Sequence, residues 1–351
     1  MDITPYLEMM LRHTASDIFF TPGTPVRIKI DGVIRPIGDS PASPEFCREA
    51  VLSILDEEKA RIFASEWEAD FAIALGDRAR FRVNAFHQLG QAAMVLRYIP
   101  AGIPTAAELG LPPILSQLMT HKRGIILMVG ATGSGKSTTL AAMVDTRNAA
   151  APGHILTIED PVEFVHPHKQ CIVNQREVGV DTKSYGAALK SSLREAPDVI
   201  LIGEIRTRET MEAAIELAAT GHLAISTLHA NNAHQALERV INMFPQALHK
   251  TLFLDISLNM RAIVSQRLVR TVSGKRAAAI EVLVNTPHIA DLIRGGRVDE
   301  VVEAMQGSSE GGMKTFDDAL LELFRAGTIN FDEALANADS APNLEAKINF
   351  G

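Results

Sequence analysis

Cysteine is nearly missing from this sequence: Cys47 and Cys171 are the two present, far apart and in no CxxC pair. That spacing excludes a disulfide framework and a zinc knuckle, and both read as reduced thiols. Aromatic residues are scarce at 5%, and the formal net charge is -8. Nucleic-acid binders draw on Lys and Arg to neutralise phosphate and on aromatic faces for stacking, so the balance argues against that class while leaving room for a local basic groove. No apolar run approaches the roughly 18 to 20 residues that a spanning helix needs. The start, MDITPYLEMMLRH, has no basic region ahead of an apolar stretch, so the chain is expected in the cytosol.

What is present is ordinary globular material, with 46% hydrophobic and 22% charged residues over 351 positions. That length suits two compact cores and one boundary. The first hundred residues read as α+β. Ser16 to Phe20 leads into a turn at Thr21 to Thr24, and Val26 to Ile30 alternates at strand period. Asp31-Gly32 reads as a tight hairpin turn before Val33 to Ile37. Ser43 caps a helix with Pro44 in its first turn. Three more strands are expected at Ala69 to Leu75, Ala79 to Phe86 and Ala92 to Ile99. The segment Ile99-Pro-Ala-Gly-Ile-Pro104 breaks regular structure twice and marks a linker. The expected division is therefore 1–98, a linker at 99–111, and 112–351.

Beyond the linker, strands alternate with helices. Gly124 to Val129 is a continuous apolar strand, Ser137 to Val144 starts a helix, and Ile155 to Ile158, Val199 to Ile202 and Leu223 to Thr227 are further buried strands. Such alternation predicts an α/β fold, a parallel sheet covered by helices. After about Asn285 the chain reads as mostly helical, with Thr315 to Arg325 one amphipathic helix.

The strongest motif is Gly130, Ala131, Thr132, Gly133, Ser134, Gly135, Lys136 and Ser137, which fits GxxxxGK[ST] between an apolar strand and a helix that continues through Thr138. Its glycines let successive backbone N–H groups face a β-phosphate, and the helix N-terminus adds positive potential. Lys136 would span the β- and γ-phosphates of ATP, and the Ser137 hydroxyl would hold Mg²⁺. A second element, Asp198 to Glu204, is an apolar strand ending in a carboxylate. The acid usual at such a strand end is replaced by Gly203, which leaves Ser137 and phosphate oxygens to hold the metal, with Glu204 acting through water. Third, Glu159, Asp160 and Glu163 follow a strand, and any of them could prime an attacking water. Fourth, His222 and His229 bracket an apolar strand, and one could report γ-phosphate occupancy; no Cys or third His stands at zinc spacing. Fifth, Arg80, Arg82 and Asn84 alternate with Phe81, Val83 and Ala85, which puts the polar set on one face, and Arg97 lies near the end of the next strand.

In that order these motifs resemble the secretion-type traffic ATPases: Walker A at 130–137, an acidic box at Ile158 to Val165, the altered Walker B at Ile202 to Glu204, and a histidine box from Gly221 to His229. The resemblance runs over nearly the whole chain. It points to the type IV pilus retraction branch, the PilT and PilU proteins, since there is no room for the large extra N-terminal domain and four-cysteine motif of the assembly ATPases. The tail, with Asn285 to Arg294, Met313 to Asp317 and Ala338 to Ala341, looks closer to the PilU side. HIADLIRG stands where PilT proteins usually show an AIRNLIRE-like run.

The resemblance implies a PAS-like N-terminal domain before a RecA-like ATPase domain, assembled as a homohexamer. It implies ATP and Mg²⁺ as ligands, Glu163 as the carboxylate that activates water, Glu204 as metal support and His229 as γ-phosphate sensor. Arg82 and Arg97 match N-terminal-domain arginines that approach the nucleotide on closure. Implied partners are a paralogous retraction ATPase and the pilus platform protein, at the cytoplasmic face of the inner membrane, with no nucleic acid. Two other classes remain in play: an accessory subunit with little turnover of its own, and a RecA-like ring acting on nucleic acid.

Overall fold

The computed structural model describes residues 1–30, 32–76, 78–99, 102–306, 308 and 310–350. It falls into two compact units, Met1–Gly102 and Ile103–Gly351. Asp31 of the expected hairpin turn and Pro100 and Ala101 of the expected linker lie outside the described residues.

The first unit holds one antiparallel sheet built from β1 (Asp17–Phe20), β2 (Arg27–Ile30), β3 (Val33–Pro36), β4 (Glu68–Leu75), β5 (Ala79–Gln88) and β6 (Gln91–Ile99), in the order β3-β2-β1-β6-β5-β4. Alternation decides its faces. In β5, Ala79, Phe81, Val83 and Ala85 are buried while Arg80, Arg82 and Asn84 are not. The buried face packs against helices, among them Pro44–Leu52, which starts as its sequence requires: the Ser43 hydroxyl accepts from Phe46 N at 3.1 Å. Two helices the sequence reading did not anticipate, Thr4–Arg12 and Glu57–Glu66, contribute Leu7, Met10 and Phe63 to the same core.

The second unit is a seven-stranded mixed sheet: β7 (Gly124–Val129), β8 (Gly153–Glu159), β9 (Cys171–Glu177), β10 (Val199–Glu204), β11 (Leu223–Leu228), β12 (Met260–Arg270) and β13 (Arg276–Val284), ordered β13-β12-β7-β11-β10-β8-β9. All neighbours are parallel except the β12–β13 hairpin at one edge. β7 is apolar throughout, and β10 and β11 are apolar over their first residues, Val199 to Ile202 and Leu223 to Ile225, because helices cover both faces. Ile125, Leu127 and Val129 of β7 join one core, and Ile126 and Met128 join the other. Thr315 caps the amphipathic helix Phe316–Arg325, whose Phe316 and Leu320 fill a further cluster with the C-terminal helices.

Candidate active site

Parallel order makes the carboxyl ends of β7, β8, β10 and β11 share one edge, and each motif begins there. The glycine loop leaves β7, the acidic loop leaves β8, Glu204 ends β10, and His229 follows β11. They line a common cavity of about 230 Å³, whose walls include Thr132, Gly133, Lys136, Ser137, Glu159, Asp160, Glu163, Glu204 and His229. Gly130 and Ala131 line a neighbouring recess that His229 also borders. Ser134, Gly135 and Thr138 lie within the same loop and helix start without lining either one.

The loop is shaped for close approach. Gly133 and Gly135 take φ of +79° and +84°, where a side chain is strained. A Cβ at Gly130 would fall 2.5 Å from Gln266 O and 2.6 Å from Ser134 Oγ. Gln266, a buried polar residue on β12, clamps the turn: its Nε2 donates to Ser134 O at 2.8 Å, and its Oε1 accepts from Thr139 Oγ1 at 2.7 Å. Sequence reasoning missed Gln266; its one signal is a polar pair, Ser265-Gln266, that follows the apolar run Ala262 to Val264 and is buried with it. Lys136 Nζ donates to Gly130 O and Ala131 O at 2.7 and 2.9 Å. Burial pulls the Lys136 ammonium below the ordinary lysine value, opposed by the negative charges of Glu204 and Glu163. A glycine loop with no room for a Cβ at Gly130, the Lys136 ammonium and the Ser137 hydroxyl on the cavity wall fit a phosphate chain and its divalent metal.

The three acidic-loop carboxylates are not equivalent. Glu159 is engaged: its Oε1 accepts from Thr157 Oγ1 at 2.7 Å, its Oε2 accepts from Glu163 N at 3.4 Å, and burial raises its pKa. Two β9 residues hold the loop, Glu177 accepting from Val162 N at 3.1 Å and Gln175 bonding His166 N and Phe164 O at 2.8 Å each. The Glu163 side chain stays exposed at the cavity. Buried His166, which also lines it, is held near a pKa of about 4 by desolvation, so it is neutral.

Glu204 is shared between two bases, His229 Nε2 at 3.0 Å and Arg206 at 2.7 Å. Its position depends on a bulge. Ile202 pairs Ser226 but Glu204 pairs Thr227, so Gly203 is skipped and Glu204 is advanced by one place. The two histidines separate in role: His222 Nδ1 meets Leu217 O at 3.0 Å, at the opposite end of β11 from the cavity. Tyr185 also lines the cavity, and desolvation followed by the charges of Asp160 and Glu159 raises its pKa far above the tyrosine norm.

In the first unit, Arg82 lies directly across from Arg97, and Arg97 across from Asp17. Arg97 Nε donates to Asp17 Oδ1 at 2.8 Å, and Arg82 Nε donates to Asp70 at 3.1 Å. The polar face is thus a row of cross-strand ion pairs.

Known proteins place the chain. The family model for the type II/IV secretion system protein matches residues 1–314, and this chain belongs to that family. The type IV pilus ATPase PilU of Pseudomonas aeruginosa is 52% identical, with 100% of this chain and 92% of PilU aligned. The retraction ATPase PilT of the same organism is 40% identical across 98% of this chain and 100% of PilT. A crystal structure of the pilus retraction motor PilT with bound ADP superimposes with a TM-score of 0.92, at 37% identity and covering 98% of this chain and 99% of that one. Within the family the chain therefore sits with PilT and PilU, and shares more with PilU than with PilT.

Proposed function

We propose that this chain is the ATP-hydrolysing motor of type IV pilus retraction, converting turnover into movement of its N-terminal unit against the P-loop unit. As a P-loop ATPase of the PilT and PilU group, it binds ATP through Gly130 to Thr138. The observation that carries the hydrolytic reading is the convergence of Lys136, Ser137, Glu163, Glu204 and His229 on one cavity at the carboxyl edge of the sheet.

Lys136 meets the β- and γ-phosphates, and Ser137 with Glu204 supports Mg²⁺, which would neutralise charge on the phosphates. Glu163 takes the water's proton, being exposed at the cavity while Glu159 is tied to its own strand and loop. His229, bonded to Glu204, reports whether the γ-phosphate is present. Arg82 and Arg97 stabilise the transferring phosphate when the units close. The PAS-like character of 1–98, the linker at 99–111 and the RecA-like character of 112–351 belong to the same reading. So do the homohexamer, the paralogous ATPase, the platform protein and the cytoplasmic face of the inner membrane, with no nucleic acid involved. No helix among the described residues is long and apolar enough to cross a membrane.

Glu163→Gln tests the assignment. ATP affinity stays within a few-fold while phosphate release falls about 100-fold or more; full turnover would move the base elsewhere. Sizing with ATP should give a hexamer, and a monomer in every nucleotide state would remove the ring. The accessory reading is favoured if turnover appears only after a paralogue is added.

A further inference from the structure

Position 203 holds glycine where an acid is usual, and the fold supplies a steric reason. A Cβ built on Gly203 falls 2.8 Å from Tyr185 Oη and 3.2 Å from both Glu159 Cα and Ile158 O. A side chain at 203 therefore requires the Tyr185 hydroxyl to move aside. Gly203 is also the residue skipped by the β10–β11 pairing, and its carbonyl is taken by Thr227 Oγ1 at 2.6 Å. The backbone there is fixed from one side, and the phenol closes the other.

Tyr185 is the first residue of helix Tyr185–Ser192, capped by Ser184, which sets the ring against β10. The ring lines the phosphate-side cavity and an adjoining one of about 850 Å³ between this helix and Arg208–Ala219. Among the described residues its hydroxyl makes no hydrogen bond within the protein. The charged groups beside it are Glu159, Asp160, Glu204 and Arg206. Ionised carboxylates only accept hydrogen bonds, whereas a neutral phenol both donates and accepts. A water layer on that wall gains from Tyr185 a donor that an aspartate could not provide.

We propose that Tyr185 Oη is a positioning group of the hydrolytic site: it fills the space that an acid at 203 would need and orients the water layer on the Glu204 side of the cavity, where the divalent metal would sit. The inference rests on the ATPase reading above. Its effect passes through water to the metal and nucleotide, so Tyr185→Phe separates metal dependence from nucleotide binding.

The test uses the full chain with Tyr185→Phe. Affinity for a fluorescent, non-hydrolysable ATP analogue is measured without metal and across a MgCl₂ series, beside steady-state ATP turnover. Metal-free affinity should stay within about twofold, while the Mg²⁺ concentration giving the half-maximal affinity gain rises about fivefold and turnover falls about five- to tenfold, the loss of roughly one hydrogen bond. Unchanged Mg²⁺ dependence together with unchanged turnover overturns the proposal. A second arm tests the steric half. Gly203→Ala should lose more turnover than Tyr185→Phe, and the double variant should regain part of that loss; strictly additive losses would mean that the hydroxyl does not hold the space. Full turnover in Glu163→Gln would remove the hydrolytic reading itself, whereas an inactive Glu163→Gln beside an indifferent Tyr185→Phe removes this inference alone.

Discussion

The two units place their candidate residues by different physical means. In the P-loop unit, four loops leave neighbouring parallel strands at one edge, so residues as distant in sequence as Lys136 and His229 meet without any local pattern joining them. In the N-terminal unit, strand alternation puts Arg82 and Arg97 on a common face, but each is answered by a carboxylate of its own sheet, Asp70 and Asp17. Convergence at a sheet edge turns groups from four loops toward one cavity, even where they also pair with each other as Glu204 and His229 do, while a shared face pairs its charges across neighbouring strands.

Lys136→Ala tests that difference most severely. Removing the one lysine of the cavity should cut phosphate release about 100- to 1,000-fold, measured at saturating ATP. If it cost no more than the loss of Arg97, topological convergence would not be what defines the site.

Gln266→Leu comes next. It leaves Ser134 O and the Thr139 hydroxyl without the bonds that Gln266 provides, in a buried place, which costs about 1–3 kcal/mol. Thermal unfolding should shift down, and ATP affinity should drop about tenfold as the loop loosens. Unaltered affinity would mean the loop keeps its shape without the clamp.

Arg82→Gln and Arg97→Gln should each lower turnover severalfold, but they should differ in stability. Asp70 and Arg82 are both well exposed, so losing that pair costs at most about 1 kcal/mol. Asp17 is 6% exposed, and Arg97→Gln leaves it with the Ser16 hydroxyl at 2.8 Å and Lys29 at 3.9 Å. The Arg97 variant should therefore melt lower. Parental turnover in both would return the row to a solvated sheet face.

Much of the site was legible because its chemistry is local. Gly124 to Val129 reads as a strand to the residue, and the glycine loop follows from types and spacing alone. Sheet order was not legible, since nothing in an apolar run says that β11 inserts between β7 and β10. The supports of the site were missed for a related reason. Gln266 lies 132 residues from the carbonyl it binds, and Gln175 and Glu177 sit on an edge strand whose polar run, Asn174 to Glu177, has no strand alternation to mark it. β12 and β13 were missed because their polar and charged residues, Ser265, Gln266 and Glu281, are buried and interrupt the apolar run. The steric reason for Gly203 needs the Tyr185 ring in place, and no spacing reveals that.

Glu281 sharpens the contrast between satisfied and unsatisfied carboxylates inside the P-loop unit. Glu204 has two basic partners, whereas Glu281 accepts from Ala233 N at 2.7 Å and Ser265 Oγ at 2.9 Å. Burial, helped by Asp339 and opposed by those bonds and by Arg267, pushes its pKa up to about 7. The folded state therefore holds this proton more tightly than the unfolded chain does, where glutamate titrates near 4.5. The stability linked to it is complete below pH 4.5 and is lost as pH rises through 7. Glu281→Gln keeps the acceptor and removes the charge, so it should stabilise the protein at pH 8 by something on the order of 2 kcal/mol. The advantage should shrink steadily from pH 7 to 4.5, read as the difference in melting temperature between variant and parent. A difference independent of pH would show that Glu281 stays ionised in the fold, its two donors outweighing its burial.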